Sequence, residues 1–136
     1  MQDIVMYTDG GARGNPGPAG AGAVFYEGSK KIAELKHYLG DMRTNNWAEY
    51  EALALALAKA KRLGLTGRVL EIRMDSMLIV EQMKGNWKIK EPTLKSQAAK
   101  VRELLEDFPG TKFVHVRREQ NAEADALVND AIDASR

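Results

Sequence analysis

The stretch "TDGGARGNPGPAGAGAV", residues 8–24, places Asp9 at the end of an apolar run and follows it with six glycines and two prolines. Two readings compete: a phosphate cradle, or a carboxylate held at a strand end for a metal. A nucleotide P-loop needs Lys followed by Ser or Thr after its last glycine, and a dinucleotide-binding loop must open a helix. Neither condition is met. After Gly22 comes "AVFYE", rich in β-branched and aromatic residues and too short for a helix, so the glycines are expected to separate two strands as a hairpin connection. Asp9, closing "DIVMYTD", is then the residue that needs explaining.

Working outward, residues 3–9, 20–27 and 31–39 read as three strands in a row, a meander joined by the glycine loop and "EGSKK". "TNNWAEYEALALALAKAKRLG", residues 44–64, is composed of strong helix formers, with an Asn cap near its start and Gly64 at its end. "RVLEIRMD", 68–75, reads as a strand and "SMLIVEQMK", 76–84, as a short helix. "GNWKIKEP" breaks the pattern. Residues 92–107 follow as a helix with apolar positions at Leu94, Ala98, Val101, Leu104 and Leu105, "TKFVHVR" as a last strand, and Asn121 as the cap of a terminal helix, "AEADALVNDAIDA". The order β-β-β-α-β-α-α-β-α implies an α/β fold in which an antiparallel meander is joined to parallel, helix-connected strands. Ligands in such sheets sit at the carboxyl ends of the strands. Asp9 ends the first strand and Asp75 the fourth, so both face one crevice if those strands are neighbours.

Composition narrows the function classes. A chain of 136 residues suits one domain and buries roughly two-thirds of its unfolded surface. It has no cysteine, which excludes disulfides and thiolate metal sites and fits a cytoplasmic compartment. The first residues carry no basic leader and no apolar run approaches ~20 residues, so a soluble, untargeted protein without membrane contact is expected. Net charge is +1, from 20 basic and 19 acidic residues. Any nucleic-acid binding must therefore rest on local patches.

Each acid also has an ordinary explanation. Asp9 and Asp75 suit strand-end turns. Glu49 stands at capping-box spacing from Asn46, and Asp125 meets the dipole in the first turn of its helix. Yet Glu49, Leu53, Ala56, Leu57 and Ala60 form one stripe, which puts this carboxylate on or beside the buried face, where it needs partners. Four separate coincidences at one end of one sheet are a poor account of the pattern. Trp47 and the other methionines and aromatics read as core.

"YTDGGARGNPGPAGAGAV", "TNNWAEYEAL", "MDSMLIVEQM" and "NAEADALVN", in this order and spacing, resemble ribonuclease H of type 1 over nearly the whole chain. The resemblance implies an RNase H-like mixed five-stranded sheet flanked by helices, one catalytic domain over 1–136, and cleavage of the RNA strand of RNA/DNA hybrids to 5′-phosphate and 3′-hydroxyl ends. It makes Asp9, Glu49, Asp75 and Asp125 the metal-binding acids, holding two Mg²⁺ ions for which Mn²⁺ can substitute, with Asp9 shared between them. Asp125 would serve the nucleophile side; Glu49 and Asp75 would serve the leaving-group side. Two such ions about 4 Å apart suit an in-line phosphoryl displacement, and hard oxygen ligands suit them.

By the same resemblance, Gly10 and Gly11 bind substrate, Asn15, Asn45 and Asn46 contact sugar and groove, and Thr44 lies near a DNA phosphate; turn and cap chemistry is the ordinary explanation for Asn15, Asn45 and Asn46. Two departures stand out. Many relatives carry an extended basic protrusion, where this chain has only "KGNWKIKEPTLK". There Lys88 and Lys90, with Lys84 and Lys95, either track the DNA backbone beside Trp87 or are solvated charges around one core tryptophan. Many relatives also place a mobile histidine in the loop before the last acid, where this chain reads "RREQNAEAD". His115 reads as an ordinary strand residue, and Arg118 or Glu119 could fill the vacant role. The expectation is a monomeric Mg²⁺-dependent endonuclease acting on hybrid. The alternatives are a nuclease of the same fold that also cuts double-stranded RNA, and a hybrid-binding module without turnover.

Overall fold

Residues 3–135 are described in the computed structural model. Strands β1 (Ile4–Ala12), β2 (Gly17–Glu27) and β3 (Lys30–Arg43) are followed by α1 (Asn45–Arg62), β4 (Leu70–Met74), α2 (Met77–Met83), α3 (Pro92–Leu105) and β5 (Thr111–His115); a 3-10 turn over Arg118–Asn121 then leads into α4 (Ala122–Ala134). The five strands lie in the order β3-β2-β1-β4-β5. β1 is antiparallel to β2 and parallel to β4, and β4 is parallel to β5. The mixed sheet expected from the sequence is therefore present, and β1 and β4 are neighbours.

The glycine stretch departs from its expected form. β1 continues through Gly10, Gly11 and Ala12, and β2 already begins at Gly17. Only residues 13–16 reverse the chain, closed by the Arg13 N–H donating to the Pro18 carbonyl at 2.8 Å. Three of the strand glycines, Gly10, Gly20 and Gly22, lie where a helix backbone leaves no room for a side chain. A Cβ on Gly10 would stand 2.2 Å from the Ala48 carbonyl oxygen of α1, and one on Gly22 would stand 2.4 Å from the Ala124 carbonyl oxygen of α4. Smaller corrections follow the same hydrogen-bond ladder: β3 runs on to Arg43, β4 starts at Leu70 and stops one residue before Asp75, β5 stops at His115, and α3 ends at Leu105.

Along β1 burial alternates as a pleated strand requires, with Ile4, Met6 and Thr8 inward and Val5 and Tyr7 half-exposed. α1 lays Leu53, Ala56, Leu57 and Ala60 against Ile4, Met6, Phe25, Leu70 and Ile72, and α3 adds Leu94, Ala98 and Val101 to the same cluster. α4 covers the opposite face over the small residues of β2, with Val128 and Ile132 against Gly20. Several residues expected in the core are not there. Met42, Met77 and Trp87 are exposed, whereas Met6, Met74, Phe25 and Tyr50 are fully buried and Trp47 packs half-buried against the cluster. Among the described residues no helix is long and apolar enough to cross a membrane.

Candidate active site

Register brings the first two acids level. Tyr7 of β1 pairs with Arg73 of β4 in parallel, so two residues further along each strand Asp9 and Asp75 stand side by side at the carboxyl edge. Ser76 caps α2 by accepting from the Ile79 N–H at 3.3 Å, which turns the chain sharply away just after Asp75. Glu49 comes from the buried face of α1 and Asp125 from the first turn of α4. One carboxylate oxygen each from Asp9, Glu49 and Asp75 lies within 4.8 Å of the others. Asp125 is near enough to raise the pKa of the Asp9 carboxyl and lines the same open cleft of about 410 Å³.

Glu49 does not close a capping box with Asn46. Its Oε1 accepts the Gly10 N–H at 2.8 Å, and the cap of α1 is Thr44, whose hydroxyl accepts from the Trp47 N–H at 3.2 Å. The correction has a simple cause. Glu49 faces β1, not its own N-terminus, because Gly10 lets the helix come within hydrogen-bonding distance of the strand. Asn121 occupies the position before α4 but makes no capping bond. Its Nδ2 donates instead to the Thr8 carbonyl at 2.9 Å, tying the last loop to the strand end that carries Asp9.

Burial and mutual repulsion dominate the electrostatics. The Asp9 carboxyl is pushed well above the ordinary carboxylate range, first by desolvation and then by the charges of Glu49 and Asp75. Glu49 is raised by burial and by Asp75, against the opposing pull of the Gly10 N–H. Asp75 is raised by burial, while the Arg118 guanidinium pulls it back down. All four groups offer hard oxygen donors, the kind that divalent Mg²⁺, Mn²⁺ and Ca²⁺ take. The cluster could hold a metal ion.

The other sequence-expected residues divide into two places. Gly10, Gly11, Asn45 and Asn46 line the acid cleft. Asn15 sits at its rim, where Oδ1 accepts the Asn45 N–H at 3.0 Å, while Asn45 Oδ1 accepts the Ala12 N–H at 2.8 Å. Thr44 is beside them as the exposed cap. Trp87 and Lys88 line a separate hollow with Gln82, Lys95 and Arg102, and Lys90 is exposed nearby. Trp87 is 46% exposed, so the picture of solvated charges around a core tryptophan does not hold. Buried Gln82 anchors the segment: its Oε1 accepts from the Tyr50 hydroxyl at 2.7 Å and its Nε2 donates to the Lys88 carbonyl at 3.4 Å.

The two loop residues, Arg118 and Glu119, lie in different places. Arg118 lines the acid cleft, whereas Glu119 pairs with Arg117 and lines a different cavity. His115 Nε2 stands 3.3 Å from the Asp75 backbone oxygen and, among the described residues, no histidine lines the cleft. Arg13 and Asn129 also line it and were not singled out from the sequence. The helical spacing of Asn129, four residues after Asp125, was the one available signal.

Comparison with known proteins bears on the fold and the family. A family described as reverse transcriptase-like matches residues 7–131. A protein named bifunctional protein Rv2228c from Mycobacterium tuberculosis is 44% identical over 97% of this chain and 36% of its own length. Ribonuclease HI of Halobacterium salinarum is 43% identical over 96% of this chain and 64% of its own. This chain thus spans only part of those relatives. LC11-RNase H1, isolated from compost by a metagenomic approach, superposes with a TM-score of 0.93 at 51% identity, covering 99% of both chains. The same enzyme has been solved in complex with an RNA/DNA hybrid, at 49% identity and TM-score 0.93 over 98% of this chain and 99% of that one. The fold is that of the RNase H-like proteins. The chain belongs to the ribonuclease H family, among its type 1 members.

Proposed function

We propose that this protein is a divalent-metal-dependent endonuclease that hydrolyses the RNA strand of RNA/DNA hybrids and leaves 5′-phosphate and 3′-hydroxyl ends. One observation carries the reading: carboxylates from three elements converge within 4.8 Å although burial and repulsion oppose their ionisation. Cations relieve that conflict. Asp9, Glu49, Asp75 and Asp125 would hold two Mg²⁺ ions, for which Mn²⁺ can substitute. Bound there, the ions would supply an activated water and stabilise charge on the departing oxygen.

The chain's own groups prepare the substrate. Gly11, whose Cβ position meets nothing closer than 3.9 Å, lines the cleft without a side chain, so a sugar-phosphate chain can approach closely; Gly10 beside it would meet the same chain through its backbone. Asn45 has its amide oxygen occupied by Ala12, which leaves its NH₂ to donate to sugar or base; Asn15, Asn46 and Thr44 extend the same rim. A ribose 2′-hydroxyl beside Glu49 would identify the strand to be cut. Arg118, near enough to lower the Asp75 pKa, offers a fixed positive charge to a phosphate. Trp87, Lys88 and Lys90 would receive the DNA strand away from the acids.

Labelled hybrid, double-stranded RNA and double-stranded DNA, incubated with Mg²⁺, test the proposal. Hybrid alone should be cut, Mn²⁺ should support the reaction, and Ca²⁺ should permit binding with little cleavage because its larger, looser shell suits the chemistry poorly. Comparable cleavage of double-stranded RNA would mark wider specificity. Binding without cleavage would mark a recognition module, and cleavage in excess chelator would remove the metal assignment.

A further inference from the structure

The β1–β2 turn is fastened to both helices that deliver acids to the cleft. On one side Ala12 and Asn15 exchange hydrogen bonds with Asn45 at the start of α1. On the other, Arg13 spreads its guanidinium over α4: Nη1 contacts Asp133 Oδ1 at 2.6 Å, and Nη2 contacts Asn129 Oδ1 at 3.1 Å and the Asn129 carbonyl at 3.5 Å. Asn129 is thereby oriented with its amide oxygen toward Arg13 and its Nδ2 toward Asp125, where it reaches the backbone carbonyl at 3.1 Å and Oδ2 at 3.5 Å. A planar amide whose two ends are engaged in this way cannot rotate freely.

We propose that Asn129 is a positioning residue for Asp125, and that Arg13 acts through it, so that the turn bearing Asn15 sets the aim of a metal-binding carboxylate. The inference rests on the reading of the four acids as a metal site. The physical basis is general: groups that hydrogen-bond a ligating carboxylate restrict its rotamer and tune its basicity, and removing them typically weakens metal affinity 10- to 100-fold. Arg13 is one bond further away. Its guanidinium fork fixes the amide orientation and leaves Asp125 untouched. A substrate strand that orders the turn at Asn15 would, by the same links, order Asp125.

The test uses Asn129→Ala, Arg13→Ala and the double variant in the full chain without nucleic acid. Mg²⁺ binding is followed by isothermal titration calorimetry, and metal-free melting is recorded alongside. Asn129 is exposed, so the metal-free melting temperature should stay near that of the parent. Asn129→Ala should weaken Mg²⁺ binding about 10-fold and Arg13→Ala about 3-fold, with the double variant no weaker than Asn129→Ala alone. The Mg²⁺ concentration for half-maximal single-turnover cleavage should shift in the same order. Unchanged Mg²⁺ affinity in Asn129→Ala overturns the proposal, and so does a double variant in which the two losses multiply in full. A parent that binds no Mg²⁺ would overturn the metal-site reading itself, whereas a parent that binds while its variants match it removes only the tether.

Discussion

The acid cleft and the Trp87 hollow are both polar regions of one small protein, and they are built in opposite ways. The cleft draws on four elements, excludes water from Asp9 and Glu49, which are 6% and 7% exposed, and crowds four carboxyl groups together with Arg13 and Arg118 at its wall. The hollow belongs mainly to one connecting segment, leaves Trp87 and its lysines in solvent, and is tied to the core through Gln82. Groups that must act together on one atom need a rigid frame and tolerate strain to obtain it. Groups that touch a polyanion one phosphate at a time need only reach and charge. The cleft should therefore respond to substitution steeply in function and unusually in stability, the hollow weakly in both.

Asp9→Asn tests the steep side. The change keeps the shape and removes one charge, so single-turnover cleavage of hybrid should fall by several orders of magnitude, on the order of 10³-fold or more, the scale of losing a group central to the transition state. Metal-free stability should hold or rise by about 1 kcal/mol, as is common at strained functional sites. The pH dependence gives the sign independently. Asp9, Glu49 and Asp75 have folded-state pKa values raised above their unfolded ones, so between about pH 4 and those raised values the folded chain binds more protons than the unfolded one. Their contribution to stability is fully present at low pH and is lost as pH rises through neutrality. Melting temperatures without metal should decline from pH 5 to 8.5, the decline should be shallower in Asp9→Asn, and Mg²⁺ should offset it in the parent by binding the ionised cluster. A parent whose metal-free melting temperature climbs across that range would show that the acids are not in conflict.

The frame of the cleft is tested at Gly10. An alanine there would put its Cβ 2.2 Å from the Ala48 carbonyl oxygen, an obstacle made of helix backbone that cannot swing aside. The expected loss is about 3 kcal/mol, at the upper end of ordinary overpacking, read from urea unfolding. The hydrogen bond from Gly10 to Glu49 should be disturbed as well, so metal affinity should fall with stability. Gly64, with no atom near its Cβ position but a φ of +78°, separates the two kinds of glycine. Alanine there should cost only the backbone strain of about 1 kcal/mol and leave the cleft untouched.

The sequence disclosed the cleft better than its frame. Hydrophobic periodicity and strand order put Asp9 and Asp75 at one edge on condition that their strands are neighbours, which the pairing of β1 with β4 supplies, because parallel neighbours bring their carboxyl ends together whatever their side chains do. The stripe through Glu49 and Leu53 put that carboxylate indoors. Gly10, Gly11 and Gly17 read as loop because glycine at a chain reversal and glycine in a strand look the same in one dimension; at Gly10 only the approach of Ala48 tells them apart. Asn46 and Asn121 were assigned caps for a related reason, since local spacing cannot reveal that Glu49 reaches Gly10, 39 residues away, or that Asn121 reaches Thr8, 113 residues away. Arg13 was hidden for the same cause. Its partners on α4 lie 116 and 120 residues distant.

The smallest expected effect belongs to the hollow, and it discriminates between two accounts of the same lysines. Trp87 and Lys88 border it, and Lys90 is exposed beside it. If Lys88 and Lys90 meet phosphates, each releases close to one counterion on binding, so the double change Lys88→Ala and Lys90→Ala should flatten the salt dependence of hybrid affinity by about one to two units of slope. The affinity itself should weaken most at low salt and converge on that of the parent as salt rises. Trp87→Ala supplies the matching control on the fold. With nearly half of its surface in solvent, the side chain stabilises little, and its removal should change unfolding free energy by no more than about 0.5 kcal/mol while lowering hybrid affinity. Fluorescence-anisotropy titrations with chelator present, at several salt concentrations, measure binding without cleavage. A slope identical to that of the parent would mean that the lysines are merely solvated, and a large loss of stability in Trp87→Ala would mean that this ring supports the core and not the substrate.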